Sequence, residues 1–202
     1  IGYVDIKGTE NEPWKNQKSV RFFSEDAAAD GKVKGKEMQK FKPKDCDGFA
    51  FDGRTFLSRE LSLDKVVTGI GMGKKWHFLE VLEEGKVMLY KTYETPEELI
   101  GFVTEEDKIK HQEECERIRN NPNLVLEKDG EWIALGNSDL RKFIGDCDVV
   151  SEKYHNGDYG FTPTNPDAET KVGKFIANAS MLEKAREVLP EIIEDYNEAC
   201  GQ

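Results

Sequence analysis

His111 and Cys115 lie four residues apart in a stretch that reads as helical, which sets an imidazole and a thiol on one face in the manner of two metal ligands. The other histidines, His77 and His155, stand in no ligand-spaced cluster, and no metal site is expected. Asp45 with Asp47, and Asp146 with Asp148, are spaced by two. On a strand each pair would share a face, as an acid/base pair or a cation site requires. With 40 acidic residues in the chain such pairs arise by chance, and solvated surface or turn capping is the plainer reading. Gly69-Ile70-Gly71-Met72-Gly73 invites comparison with phosphate-cradling loops. It lacks the G-x-G-x-x-G spacing and the G-K-[ST] ending, and a strand follows it where a helix is needed, so it reads as a flexible connection. H-E-x-x-H and G-x-S-x-G are absent, which removes the easily recognised hydrolases. No catalytic residue and no cofactor is assigned.

Charge narrows the partners. The 202 residues carry a formal charge of −11, which argues against general nucleic-acid affinity. Residues 1–44 are the exception, with seven acids and ten bases. Within them Lys32, Lys34, Lys36, Lys40, Lys42 and Lys44 form a ladder. It could bind an anionic polymer or a lipid headgroup, or simply protect a sheet edge from aggregation. Lys40, Lys42 and Lys44 are the candidate partner-binding residues. Trp14, Trp76 and Trp132 read more readily as core or sheet-face residues than as sugar platforms. No run approaches the ~20 apolar residues of a membrane-spanning helix.

These groups must be positioned by strands first and helices later. Gly2–Ile6, Ser19–Phe23, Lys40–Lys44, Gly48–Phe51 and Thr55–Leu63 have strand character, with a polar loop over Glu25–Gly35. Trp76–Leu82 and Lys86–Tyr93, joined by Glu83-Glu84-Gly85, form the strongest hairpin and are expected at the centre of the sheet. Thr95-Pro96-Glu97-Glu98 is a helix start weakened by Gly101. Thr104-Glu105-Glu106-Asp107 is a second start, for a helix ending near Arg119. Leu124–Leu126 and Trp132–Leu135 flank the turn Asp129-Gly130. A short helix carries Leu140, Phe143 and Ile144; residues 155–173 read as loop. Ser180-Met181-Leu182-Glu183 opens a last helix containing Pro190. The fold class is α+β: an antiparallel sheet, strongly curved or a partial barrel, followed by a helical C-terminal part. A single domain over 1–202 is expected, mainly β over 1–93 and 124–136, with a helical excursion over 94–119 and helices over 137–202.

Cys46, Cys115, Cys147 and Cys200 are too far apart for a zinc knuckle. Two disulfides or four thiols fit the count equally. The chain starts at Ile1 and is read as processed or trimmed, the mature form of an exported protein being one such case.

Several segments in order resemble a group of uncharacterised exported proteins of Bacteroidetes-type bacteria, periplasmic or lipoprotein-like. They are Gly2-Tyr3-Val4 with Lys7-Gly8, Lys18–Phe22, Phe41–Asp45 leading to Gly48-Phe49, Phe78–Leu82 with Gly85–Tyr90, Leu126–Leu135, Phe143 with Asp146-Cys147, and Tyr196–Cys200. The resemblance implies a β-rich protein of the periplasm or cell envelope, anchored to lipid through a removed N-terminal segment or free, with no catalytic residues to transfer. It also implies a Cys147–Cys200 disulfide; Cys46 and Cys115 are a weaker second pair. The function expected is non-enzymatic binding of a protein, glycan or lipid partner in the envelope. The alternative is a hydrolase-like enzyme with an unfamiliar acid/base site.

Overall fold

Asp52-Gly53 and Asp129-Gly130 each place two successive residues in the left-handed region, with φ of 50° and 72° in the first and 53° and 80° in the second. That is the backbone of a two-residue hairpin, whose twist matches the strands it joins. In the computed structural model, which describes residues 2–5, 12–28, 38–68, 71, 73–134, 140–160 and 171–201, nine strands are formed. They are β1 (Gly2–Asp5), β2 (Val20–Ser24), β3 (Gln39–Phe41), β4 (Gly48–Phe51), β5 (Arg54–Leu61), β6 (Lys75–Glu83), β7 (Met88–Thr92), β8 (Asn123–Lys128) and β9 (Glu131–Ala134). The helices are α1 (Glu25–Ala28), α2 (Leu63–Thr68), α3 (Glu105–Asn120), α4 (Leu140–Ile144), α5 (Asp148–Asn156) and α6 (Lys171–Cys200). One antiparallel sheet has the order β1-β2-β3, the other β4-β5-β6-β7-β8-β9, and neither closes into a barrel. The class is α+β, and the β6–β7 hairpin is central in its sheet. Lys32, Lys34, Lys36, most of the Gly69–Gly73 loop and residues 161–170 lie outside the described residues.

The chain divides into two compact units: Ile1–Ser62, Gly73–Glu80 and Lys91–Asn123 form the first, and Leu63–Met72, Val81–Tyr90 and Leu124–Gln202 the second. The core of the first is aromatic. Phe49 stacks on Phe56 at 4.7 Å and meets Phe78 edge-on at 4.9 Å, with Val20, Phe41, Phe51 and Cys46 around them. Arg54 lies over Phe51 and Phe56 and donates twice to the buried carboxylate of Glu80, at 2.8 and 2.7 Å. Lys91 adds a second cation 3.6 Å from it. Glu80 is thus a buried charge held by two partners, which is what makes its burial tolerable. Gln17 joins the N-terminal segment to this sheet: its amide donates to Tyr93 O and accepts from Tyr93 N, while its own carbonyl accepts from Phe78 N.

The Thr95 helix start is not used. Residues 93–104 are not helical, Gly101 sits at φ 85°, and Ile100 and Phe102 are 85% and 94% exposed, so a helix there would have no apolar face to bury. The helix starts at the second cap, where Thr104 Oγ1 accepts from Asp107 N and the Asp107 carboxylate accepts from Thr104 N. Only Ile118 of α3 is buried, which fits a solvated excursion.

The second unit is built on α6. Leu189, Ile192, Ile193 and Tyr196 are fully buried with Val87, Leu89, Leu126, Phe143 and Ile144. At about 1.5–3 kcal/mol per buried side chain, these contacts exceed the ~3 kcal/mol cost of a proline inside a helix, and α6 runs through Pro190. It also begins nine residues before the expected cap at Ser180, which falls inside it. At the far end Asn197 acts as a strand would: its Oδ1 accepts from Val87 N at 2.9 Å and its Nδ2 donates to Val87 O at 2.8 Å. Gly85 permits this approach, since a Cβ there would fall 2.3 Å from the Asn197 amide. Asn197→Ala leaves both Val87 groups unpaired and is expected to cost about 2 kcal/mol. A lower urea midpoint with unchanged slope would show this, and an unmoved midpoint would refute it.

Candidate functional site

Proline decides where β3 ends. Pro43 opens a 3₁₀ turn over Pro43–Asp45 from an extended Lys42 (φ −96°, ψ 162°), the conformation a residue before proline prefers. The Asp45 carboxylate accepts from Lys42 N at 2.9 Å and Asp45 N donates to Lys42 O at 2.8 Å, so one member of the Asp45/Asp47 pair caps a turn. Ser58 fastens this turn to β5: its buried hydroxyl donates to Pro43 O and its N–H donates to Asp47 O at 2.7 Å. The result is an open groove of about 380 Å³, lined by residues 43–47, Leu57-Ser58-Arg59 and Trp76 at the start of β6. Trp76 is 46% exposed, whereas Trp14 is buried and Trp132 stacks on Tyr90 at 5.5 Å.

Of the three candidate lysines only Lys44 lines this groove. Lys40 lies exposed on β3, an edge strand, a position that fits edge protection. Lys42 is exposed ahead of the turn, and the strand face expected to carry all three lysines stops at Phe41. Leu57, Ser58, Arg59 and Trp76 were not singled out together by the sequence, because three separate segments supply the groove and no spacing links them.

Cys46 and Cys115 are free thiols, so the weaker second pairing is not made. Cys46 packs on the Phe49–Phe56 cluster and also reaches the groove. Burial pushes its thiol up, a hydrogen bond from the Gly48 backbone opposes this, and Asp45 and Asp47 add to the rise. A thiol so placed stays protonated and is a poor nucleophile. Cys115 Sγ lies 3.5 Å from His111 Nε2, as the helical spacing requires, and burial together with Glu12 and Glu114 raises its pKa too. Among the described residues no group of three or more His, Cys, Asp or Glu gathers as metal ligands would.

The remaining polar clusters brace the second unit. Cys147 and Cys200 are joined by a disulfide across 53 residues of sequence, with Cys147 fully buried. Beside it Lys128 donates to Phe143 O at 2.7 Å and to Asp146 at 2.6 Å, and its ammonium lies 4.8 Å from the Tyr196 ring. Tyr196 also donates to Asp146, at 2.9 Å. Asp146 is therefore a structural acceptor, in the turn before α5, and is not paired along a strand with Asp148. Lys153 and Tyr159 both donate to Asp195, at 2.7 and 2.8 Å. Burial raises the Asp146 carboxyl, but the hydrogen bonds from Lys128 and Tyr196 outweigh it and leave it below its usual value. Lys153 does the same for Asp195 more directly.

A depressed carboxylate pKa contributes stability above the unfolded value of about 3.9, and this is lost as pH falls through the folded value. The second unit is therefore expected to lose stability progressively below about pH 4, and Asp195→Asn to flatten that loss. Melting curves from pH 7 to pH 2 would show it. An identical acid slope in wild type and variant would contradict it.

No family model, curated protein or solved structure matches this chain. Among the described residues no helix is long and apolar enough to cross a membrane.

Proposed function

We propose that this chain is a non-enzymatic protein of the cell envelope that binds its partner through the groove of the first unit. The observation that carries the reading is Trp76: a half-exposed indole beside Lys44 and Arg59, in an open recess fastened by Ser58, is a contact surface ready to be covered. Aromatic residues with one apolar face and a wet edge are typical of recognition surfaces. The disulfide fits an oxidising compartment such as the periplasm. One observation favours a second reading, an acid/base enzyme: Asp45 and Asp47 line the same groove.

A panel of glycoside, peptide, ester and phosphate substrates, assayed with and without a chelator, separates the two. No turnover is expected. Reproducible turnover that Asp47→Asn abolishes would overturn the binding reading in favour of the enzyme.

A further inference from the structure

We infer that the groove of the first unit holds a neutral saccharide. This rests on the reading of that groove as the binding surface and adds the class of its ligand. The charged side chains lining it are Lys44 and Arg59 against Asp45 and Asp47, two of each sign. That balance offers no net attraction to a polyanion, the ligand the lysine ladder alone would suggest. What the lining does offer is donors and acceptors side by side. The ammonium and the guanidinium, which already donates to Ser58 O at 3.0 Å, only donate, while the carboxylates only accept. A hydroxyl both donates and accepts, so a ligand rich in hydroxyls can satisfy both signs at once without carrying charge.

The same ligand must cover an apolar face, because Trp76, 46% exposed, is one of the residues that line the groove. A sugar ring has that combination: C–H groups on one face, hydroxyls around the rim. A lipid chain or an apolar peptide side chain would take water from these charged groups and return no hydrogen bond, which is costly. The volume, about 380 Å³, lies at the small end of ligand recesses, and the groove is open, so a residue or two of a longer glycan can lie in it while the rest continues outside. The hydrogen bonds of Ser58 and Asp47 between turn and strand fix the wall beforehand, which lowers the ordering cost of binding.

The test is a titration of the intact chain observed through its three tryptophan indole N–H resonances, assigned with Trp76→Phe. The first probe is a digest of deproteinised, neutral envelope polysaccharide; the second is that digest after periodate oxidation; the third is a digest of deglycosylated envelope protein. The polysaccharide is expected to shift the Trp76 resonance while Trp14 and Trp132 stay in place, and periodate is expected to abolish the shift. Asp47→Asn, which keeps the reporter, is expected to weaken the titration at least about tenfold, the effect of losing one hydrogen bond to a charged group. A Trp76 shift with the protein digest alone, or one that survives periodate, would overturn the saccharide and leave the groove reading standing. No shift of Trp76 with any probe would overturn both.

Discussion

Cys200→Ala is expected to lower the melting temperature of the second unit by roughly 10 °C. Closing a 53-residue separation removes unfolded-state entropy worth about 4 kcal/mol in the chain-entropy model. At this chain size one kcal/mol corresponds to about 2–4 °C. The bond also has a defined mechanical place. It ties the last turn of α6 to the corner between α4 and α5, next to the Lys128–Asp146–Tyr196 cluster and the Asn197 contact with Val87. Because Cys147 is fully buried, reductant should act slowly on the folded chain and quickly once it is unfolded. Paired melts of wild type and variant, with and without reductant, check this. Superimposable melts would mean that the disulfide constrains nothing.

Val87→Asp should be more damaging still. Val87 is fully buried, and its N–H and carbonyl are both taken by Asn197. A carboxylate there would enter the apolar cluster that contains Leu89, Leu126 and Ile192. The cost of an unpaired buried charge is several kcal/mol, comparable to the whole stability of many domains. The expected result is loss of the near-ultraviolet signal and of a cooperative melt for the second unit at neutral pH. A native-like spectrum and an unchanged melt would show that the turn before β7 is exposed.

Elements whose signals are local were legible in the sequence. Asp129-Gly130 and the Thr104 capping box act within four residues, and both appear where the residues put them. Two signals misled because a local cap does not by itself decide where a helix begins. Thr95-Pro96 has a sound cap but no apolar face behind it, and Ser180 has a sound capping box but lies inside a longer helix. Asp52-Gly53 carried the same hairpin chemistry as Asp129-Gly130 and was available to be read. The side-chain amides of Gln17 and Asn197, each standing in for a strand, leave no trace in composition or periodicity, since their partners lie 76 and 110 residues away. The groove was hidden for the same reason: Lys44 could be singled out as a lysine, but only the Pro43 turn and Ser58 bring it beside Arg59 and Trp76.

The groove is tested most directly by retention of the purified chain on isolated envelopes, comparing wild type with Trp76→Ala, Lys44→Glu and Lys40→Glu, all first shown to melt alike. Trp76→Ala and Lys44→Glu should each reduce retention by about tenfold or more, the loss typical of a central contact. Lys40→Glu, on the edge strand outside the groove, should stay within about twofold of wild type, as peripheral charges do. Retention of Trp76→Ala equal to wild type, or loss caused by Lys40→Glu alone, would contradict the groove as the contact surface.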